Sequence, residues 1–234
     1  MKKIIFVIVC FSLFSCNDEI KMSGTISVSE ESVKDNFSGI GVQDGFELYL
    51  INKDTVSTVK IEADENVILH VKYEIKNGIL YFYKEKETEF SSDALVKISV
   101  IKDSVRFIKA ANSKIYISDT LRNDTIELNC SDKSILEGRI ECINLKSSIG
   151  NSSLKLTGTT NKLFMNIFSG SIIDSFGLES ENIKVNIAGG SVANLTVVKE
   201  LELQATEHSI LNYKGNPVIR NMVLMDDSKI NNNN

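Results

Sequence analysis

Serine is the residue whose type and spacing first indicate chemistry in this sequence. Ser171, in the stretch Ser169-Gly170-Ser171, follows a glycine, as a nucleophile on a tight turn would. Similar stretches recur at spacings of 21, 19, 18, 20, 18 and 19 residues, and their serines are Ser113, Ser134, Ser153, Ser171, Ser191, Ser209 and Ser228. A nucleophilic serine needs a base, usually histidine, within hydrogen-bond distance. A serine repeated seven times is poor evidence for one nucleophile, so we predict a structural corner and no catalytic residue.

The two histidines of the chain provide little support for catalysis. His70 lies in VILHVKYEI, where the alternating apolar residues predict a strand with His70 on its exposed face. His208 directly precedes one of the repeated serines and belongs to that corner.

One polar cluster could nevertheless form a site. Glu207 and Asp226 each stand two residues before a repeated serine, with His208 and Asp227 beside them. Stacked carboxylates on neighbouring coils could act as an acid–base pair or bind calcium, and the histidine would also suit zinc. A solvated polar corner explains the cluster equally well, so we predict neither a metal nor a cofactor.

The segments between the serines alternate between apolar and polar residues. Such runs include Ile126, Leu128 and Cys130 as well as Ile183, Val185 and Ile187, and period-two alternation predicts a strand with one buried face. No window in residues 106–234 has the spacing of an amphipathic helix. A strand, a corner and a second strand repeated about every 19 residues predict an all-β fold, a parallel β-helix of about seven coils.

In this arrangement the apolar residues around each serine should face the coil interior. For the corner at Ser171 these are Ile167 before it and Ile172 after it. Cys130 and Cys142 fall at different points of successive coils, which favours two free, partly buried thiols over a disulfide.

Residues 30–105 also predict strands, although less regularly. The candidate strands are 45–52, 57–64, 67–75, 78–86 and 95–101, and Asn77-Gly78 between two of them indicates a tight hairpin. We expect this region to cap the open end of the coils in residues 106–230, within one β domain spanning 30–230. Residues 231–234 form a polar tail.

The N-terminus has the pattern of an export signal. Lys2 and Lys3 precede an apolar run, Ile4 to Phe14, that is too short to span a membrane. The following Leu13-Phe14-Ser15-Cys16 resembles a lipobox, with Cys16 as the lipidated residue. We therefore expect a signal peptide at 1–15, a lipidated N-terminus and linker at 16–29, and attachment to a membrane through the lipid.

Overall composition limits the partners. The chain has a formal net charge of -5 and a sequence pI near 5.2, and it lacks a dense Lys/Arg patch. Nucleic acid is therefore not an expected partner. The single proline, Pro217, suits a chain that consists mostly of paired strands.

Several stretches resemble a known family. NFSGIGVQDGFELYLIN (36–52) and VKIEADENVILHVKYEIKNGILYFYKE (59–85) are similar to the opening motifs of the head GIN domain family of auto-transporter adhesins, and the corners at 169–171 and 189–191 match its later pattern. The resemblance covers about residues 30–225. It implies a right-handed β-helical domain on cell-surface lipoproteins, with no catalytic residues to transfer.

Two shorter resemblances concern the cell envelope. Asn17-Asp18-Glu19 resembles a surface-export signal of lipoproteins in one Gram-negative phylum. Four three-residue patterns resemble an O-glycosylation signal of the same phylum, with hydroxyls at Thr55, Ser104, Thr120 and Thr125.

These observations predict a non-enzymatic outer-membrane lipoprotein of a Gram-negative bacterium, facing the periplasm or the cell surface. It would bind a glycan or a surface protein through an extended β-helix face. Two alternatives stay open. One is a carbohydrate-active enzyme on acidic polysaccharide centred on Glu207 and Asp226, and the other is a structural component that assembles end to end. The oligomeric state is not predicted.

Overall fold

The structure, a computed structural model, describes residues 18–53 and 55–234. Its N-terminal part contains β1 (Asp18–Ile20), β2 (Ile26–Ser32), β3 (Gly39–Val42), β4 (Glu47–Ile51), β5 (Thr58–Asp64), α1 (Glu65–Ile68), β6 (Val71–Lys76), β7 (Ile79–Lys84), β8 (Thr88–Phe90) and β9 (Lys97–Ile101). The remaining strands are β10 (Phe107–Ala111), β11 (Lys114–Ser131), β12 (Ile135–Gly150), β13 (Ser153–Phe168), β14 (Ile172–Ile187), β15 (Val192–Ala205), β16 (Ile210–Lys214), β17 (Val218–Leu224) and β18 (Lys229–Asn232).

The coils form a β-solenoid of about seven turns with a period of about 19 residues, which confirms the predicted fold class. Strands β11 to β15 each pair in parallel with the next along the chain. The register stacks equivalent side chains, so that Ile115, Leu136 and Leu154 occupy one buried column. Each coil therefore buries its apolar face against the coils before and after it.

Two strand stacks enclose the core. Wall A contains the strand segments that follow the serines, in the order β9, β4, the first halves of β11 to β15, β16 and β18. Wall B contains the segments that precede them, in the order β6, β7, β3, β10, the second halves of β11 to β15, and β17.

The structure corrects two positions of the predicted repeat. Ser152, not Ser153, is the buried corner serine, and Ser153 lies on the strand beside Ile135 and Ile172. Ile172 is 57% exposed, whereas Ile173 is fully buried; Ile167 is buried as predicted. In a strand a one-residue shift moves a side chain to the opposite face, so small errors in the corner position invert the predicted interior.

The N-terminal region continues the solenoid before closing it. Strands β3 and β4 pair in parallel with β10 and β11, although the paired residues are 67 or 68 positions apart in the chain. Strands β7 and β9 extend these stacks outward in parallel, and β6, β5 and β2 follow in antiparallel orientation.

The predicted strand 67–75 is wrong in its first half. The Asp64 carboxylate accepts the Asn66 N–H at 2.9 Å and caps the single turn α1, after which Leu69 is exposed and His70 lies in a turn. A capping aspartate thus overrides the apolar alternation. The predicted hairpin is correct: Asn77 and Gly78 have φ values of 53° and 74° and join the antiparallel β6 and β7.

Cys130 and Cys142 are both free in the structure, Cys130 buried and Cys142 half-buried. Burial raises the pKa of the Cys130 thiol to about 12 and also raises that of Cys142. Within residues 18–53 and 55–234, no helix has the length and apolar character needed to cross a membrane.

Candidate functional site

The corner serines act structurally. At five corners two consecutive residues have positive φ, as Ser169 and Gly170 do before Ser171. The Ser171 hydroxyl donates to the Phe168 carbonyl at 2.6 Å and accepts the Ser152 amide N–H of the preceding coil at 3.3 Å. The corners at Ser113 and Ser152 have one such residue, an asparagine, and their hydroxyls donate to the carbonyl two residues earlier. Six of the seven corner serines are buried and Ser228 is half-buried. Their hydroxyls form hydrogen bonds within the fold, so the column is a ladder of structural hydrogen bonds.

The predicted polar cluster forms on two neighbouring corners but lies open to solvent. The His208 N–H donates to the Asp226 carbonyl at 2.9 Å, and His208 Nε2 lies 3.9 Å from Asp227 Oδ2. The side chains of His208 and Asp227 are 74% and 91% exposed, and Glu207 and Asp226 are also exposed. Across the described part of the chain, no group of three or more His, Cys, Asp or Glu residues could hold a metal ion.

His70 pairs with an acid of the N-terminal region. Its Nδ1 lies 2.9 Å from Glu85 Oε2, and the histidine side chain is 29% exposed. The predicted exposed strand position is therefore replaced by a half-buried turn position that joins α1 to the end of β7.

The remaining candidate residues are the four predicted O-glycosylation sites and the predicted lipidation site. Thr55, Ser104 and Thr125 are exposed and Thr120 is half-buried. Asn52 Nδ2 donates to the Thr120 carbonyl at 2.8 Å. Cys16 and the signal peptide lie outside the described residues, as does Asp54, the first residue of the three-residue pattern at Thr55.

The outer surface of wall B carries a groove that sequence reasoning missed. It has a volume of about 290 Å³ and crosses the four coils of β12 to β15. Two rows of outward side chains border it. Row 1 consists of Asn144, Lys162, Asn182 and Glu200, and row 2 of Lys146, Phe164, Lys184 and Glu202. The buried residues Leu145, Leu163 and Ile183 lie between the rows and form the floor.

Charge is distributed unevenly along the groove. Glu200 accepts Arg220 Nε–H at 3.0 Å, and Lys184 lies 3.1 Å from Glu202. Lys146 and Lys162 are exposed and make no ion pair with any described residue. The end of the groove at β12 and β13 is therefore cationic and free to meet an anion.

Two further concavities lie on the same wall. One, of about 340 Å³, adjoins the exposed Phe168 and the pair Asn166 and Asn186, whose side-chain amides are joined by a 2.9 Å hydrogen bond. The other, of about 400 Å³, is lined by Tyr81 and Tyr83 where β7 packs beside β3. Its floor requires Gly41, because a Cβ there would lie 2.3 Å from the Tyr81 ring.

Wall B thus presents aromatic rings, side-chain amides and lysines at fixed intervals. Rings pack against apolar faces of a ligand, and amides both donate and accept hydrogen bonds. The signal for this surface was present in Phe164 and Phe168, which stand at outward, normally polar positions of their strand. Such an arrangement suits recognition of a polar, extended ligand.

Several solved structures of other proteins share the fold of this chain. Solved structures described as putative adhesins from Bacteroides fragilis and Parabacteroides distasonis align with TM-scores of 0.76 and 0.72, at 16% and 18% identity. Each alignment covers 92% of this chain, and 99% and 100% of the respective neighbour. A third, described as a putative lipid binding protein from P. distasonis, aligns with a TM-score of 0.71 at 16% identity over 93% of this chain and all of its own.

Identities this low show a shared fold alone. Among curated proteins, none matches the chain. A family model described as putative auto-transporter adhesin, head GIN domain, matches residues 36–217, most of the chain, as the motifs at 36–52 and 59–85 predicted. The chain therefore belongs to this family of putative auto-transporter adhesins with a head GIN domain.

Proposed function

We propose that this protein is a non-enzymatic adhesin-type module that binds glycans along the outer surface of wall B. The groove between rows 1 and 2 carries the proposal, because it combines a half-buried aromatic ring with amides and unpaired lysines on one rigid sheet. Stacked parallel strands hold these groups about 4.8 Å apart from coil to coil. A rigid surface loses little conformational entropy when it binds a repetitive ligand.

Family membership supports a position at the cell surface or in the envelope. We extend this to a lipoprotein anchored through Cys16 in the outer membrane of a Gram-negative bacterium. In that setting the lipid would hold the domain at the membrane while wall B stays available to a ligand. Mass spectrometry of the mature protein tests the anchor: a diacylated or triacylated cysteine at its N-terminus is expected, and an unmodified chain starting elsewhere would contradict it.

A glycan array followed by titration calorimetry tests binding. The full chain in detergent should bind at least one class of polysaccharide, and Phe164→Ala should weaken that binding by about tenfold, as loss of a stacked ring implies. The matched control is Tyr116→Ala, which removes a ring from the outer surface of wall A, where Tyr116 stacks on Tyr49. Equal loss in both variants, or no bound glycan at all, would refute the assignment.

The enzyme alternative has a direct test. Glu207 and Asp226 are solvent-exposed, and neither lines the groove or the two further concavities of wall B. Release of products from a uronate polymer that disappears in Glu207→Gln would establish it.

One observation favours end-to-end assembly as a second candidate function. All seven residues of β17 are exposed, including Ile219, Met222 and Leu224, which continue the interior columns of the coils. An apolar strand with one unpaired edge is a template for pairing with a second copy. Light scattering that shows a concentration-dependent increase in mass, abolished by Met222→Lys, would support assembly; a monomer at all concentrations would exclude it.

A further inference from the structure

The lysines of the groove follow a regular pattern. Lys146 on β12 stands in row 2, Lys162 on β13 in row 1, and Lys184 on β14 in row 2 again. Each step moves one coil along the solenoid, about 4.8 Å, and crosses the groove by two residues of strand, about 6.6 Å. The three cations therefore alternate from side to side on successive coils.

The positions opposite the lysines are neutral. Asn144 faces Lys146 across the groove, Phe164 faces Lys162, and Asn182 faces Lys184. Each of these coils therefore offers one ammonium group on one side and an amide or an aromatic ring on the other. An amide can bind sugar hydroxyls, and a ring can pack against the apolar face of a sugar.

The pattern ends at the next coil. On β15 both rows carry acids, Glu200 and Glu202. Lys184 lies 3.1 Å from Glu202, so the unpaired cations are Lys146 and Lys162, and the acids of β15 mark the end of the cationic stretch. This local positive charge stands out on a chain with a formal net charge of -5.

We infer that the groove binds an acidic glycan, a chain of 1,4-linked uronate units in an extended conformation with near two-fold symmetry. In such a chain each sugar is turned over relative to the last, so its carboxylates project alternately to either side, and one unit is about as long as one coil step. Two consecutive carboxylates would meet the unpaired Lys146 and Lys162, a third would compete with Glu202 for Lys184, and the middle sugar would pack on Phe164. This inference rests on the proposed glycan-binding function and names its ligand class.

Two matched ligands distinguish the binding of an acidic glycan from the binding of glycans in general. The full chain is titrated with a β-1,4-linked mannuronate hexamer and with β-1,4-mannohexaose, which has the same backbone with a hydroxymethyl group in place of each carboxylate. The mannuronate should bind roughly tenfold more tightly, and the difference should shrink as salt rises from 50 to 200 mM. Equal binding of both hexamers, abolished by Phe164→Ala, would overturn the inference while the proposed function survives. If neither these hexamers nor any arrayed glycan binds, both fail.

Lysine variants test whether Lys146 and Lys162 contribute to the binding of the acidic glycan. Lys146→Met and Lys162→Met should each weaken mannuronate binding by about twofold to fivefold, and weaken it more than they weaken mannohexaose binding. Lys155→Met, on the outer surface of wall A, is the matched control and should leave both affinities unchanged. Mannuronate binding that is insensitive to Lys146→Met and Lys162→Met would place the ligand elsewhere and contradict the inference.

A charge-conserving exchange tests the alternation itself. Combining Asn144→Lys with Lys146→Asn keeps the net charge of the groove but moves one cation into the row of Lys162. Affinity for the mannuronate hexamer should fall as much as in Lys146→Met, with an unchanged melting temperature as the fold control. An exchange variant that binds as tightly as the parent would show that total charge, rather than the alternating pattern, governs binding, and would overturn the two-fold geometry.

Discussion

Seven corners of the coil stack carry serine, and one corner at the N-terminal end carries phenylalanine. Asp44 and Gly45 have φ values of 67° and 82°, like the residue pairs before the serines, and Phe46 follows them. The Phe46 carbonyl accepts the Lys114 N–H at 2.9 Å, just as the Ser113 carbonyl accepts the Ile135 N–H at 2.9 Å. Phe46 therefore occupies the serine position of an additional coil.

The serine corners and the Phe46 corner differ in the layer that packs against them. At five of the six steps between the serine corners, the hydroxyl of one serine accepts the backbone N–H of its predecessor, as Ser134 does from Ser113. Beyond Phe46 the next strand is β9, and Val96 and Phe90 pack there instead of another polar corner. The paired positive-φ residues set the backbone of the corner, and the neighbouring layer decides whether its side chain is polar or apolar.

Replacing the phenylalanine should have the largest effect. Phe46→Ser removes a ring that is 1% exposed and should lower the free energy of unfolding by about 3–5 kcal/mol, measured by urea denaturation. Phe168→Ser, at an exposed ring, is the control and should change it by less than about 0.5 kcal/mol. A loss of under 1 kcal/mol in Phe46→Ser would mean that serine suits this corner too.

Alanine substitutions at two glycines test how tightly the backbone is packed at the serine corners. A Cβ at Gly189 would lie 2.7 Å from the Ser169 backbone nitrogen, whereas a Cβ at Gly170 would meet no atom within 4 Å. Both have positive φ, so Gly170→Ala should cost about 1 kcal/mol for the conformation alone. Gly189→Ala should cost about 2–3 kcal/mol because the contact adds to it. Chemical denaturation that ranks them equally would show that the coils separate to accept the methyl group.

Loss of one serine should have a moderate effect. Ser171→Ala removes the acceptor of the Ser152 N–H and the single O–H donor to the Phe168 carbonyl in a buried site, and should lower the free energy of unfolding by about 1–2 kcal/mol. Ligand binding at wall B should not change. The control is Ser153→Ala, beside the corner but outside the ladder; equal destabilisation by both would contradict the assignment of Ser152 and Ser171 to one column.

Alkaline pH should produce the smallest effect, in the coil interior. Burial raises the pKa of Cys130 to about 12, so above pH 9 the unfolded thiol ionises while the folded one keeps its proton. Stability is therefore complete below pH 9 and should fall by about 1 kcal/mol between pH 9 and 10, with a shallower slope in Cys130→Ala. Denaturation at several pH values measures the slope. An identical slope in Cys130→Ala would assign the loss to other groups, such as Tyr73 in the N-terminal region, whose pKa burial and Glu31 raise to about 12.

The sequence alone determined the class of fold and its period. Alternation within a strand is a local pattern, so the runs ending at Cys130 and Ile187 predicted buried faces correctly, and Asn77-Gly78 predicted a hairpin because both residues accept positive φ. The family followed from the opening motifs at 36–52 and 59–85 in the same way.

Only the tertiary structure decided the lateral register between coils. Corner lengths vary, so the choice between Ser152 and Ser153, and between Ile172 and Ile173, required the neighbouring coil. Phe46 could not be assigned to the serine column because its partner strand lies 67 positions away in the chain. The groove of wall B is decided in the same way: Phe164 stands out in the sequence at an outward position, but the residues that align with it come from four strands, and only the register between coils sets that alignment.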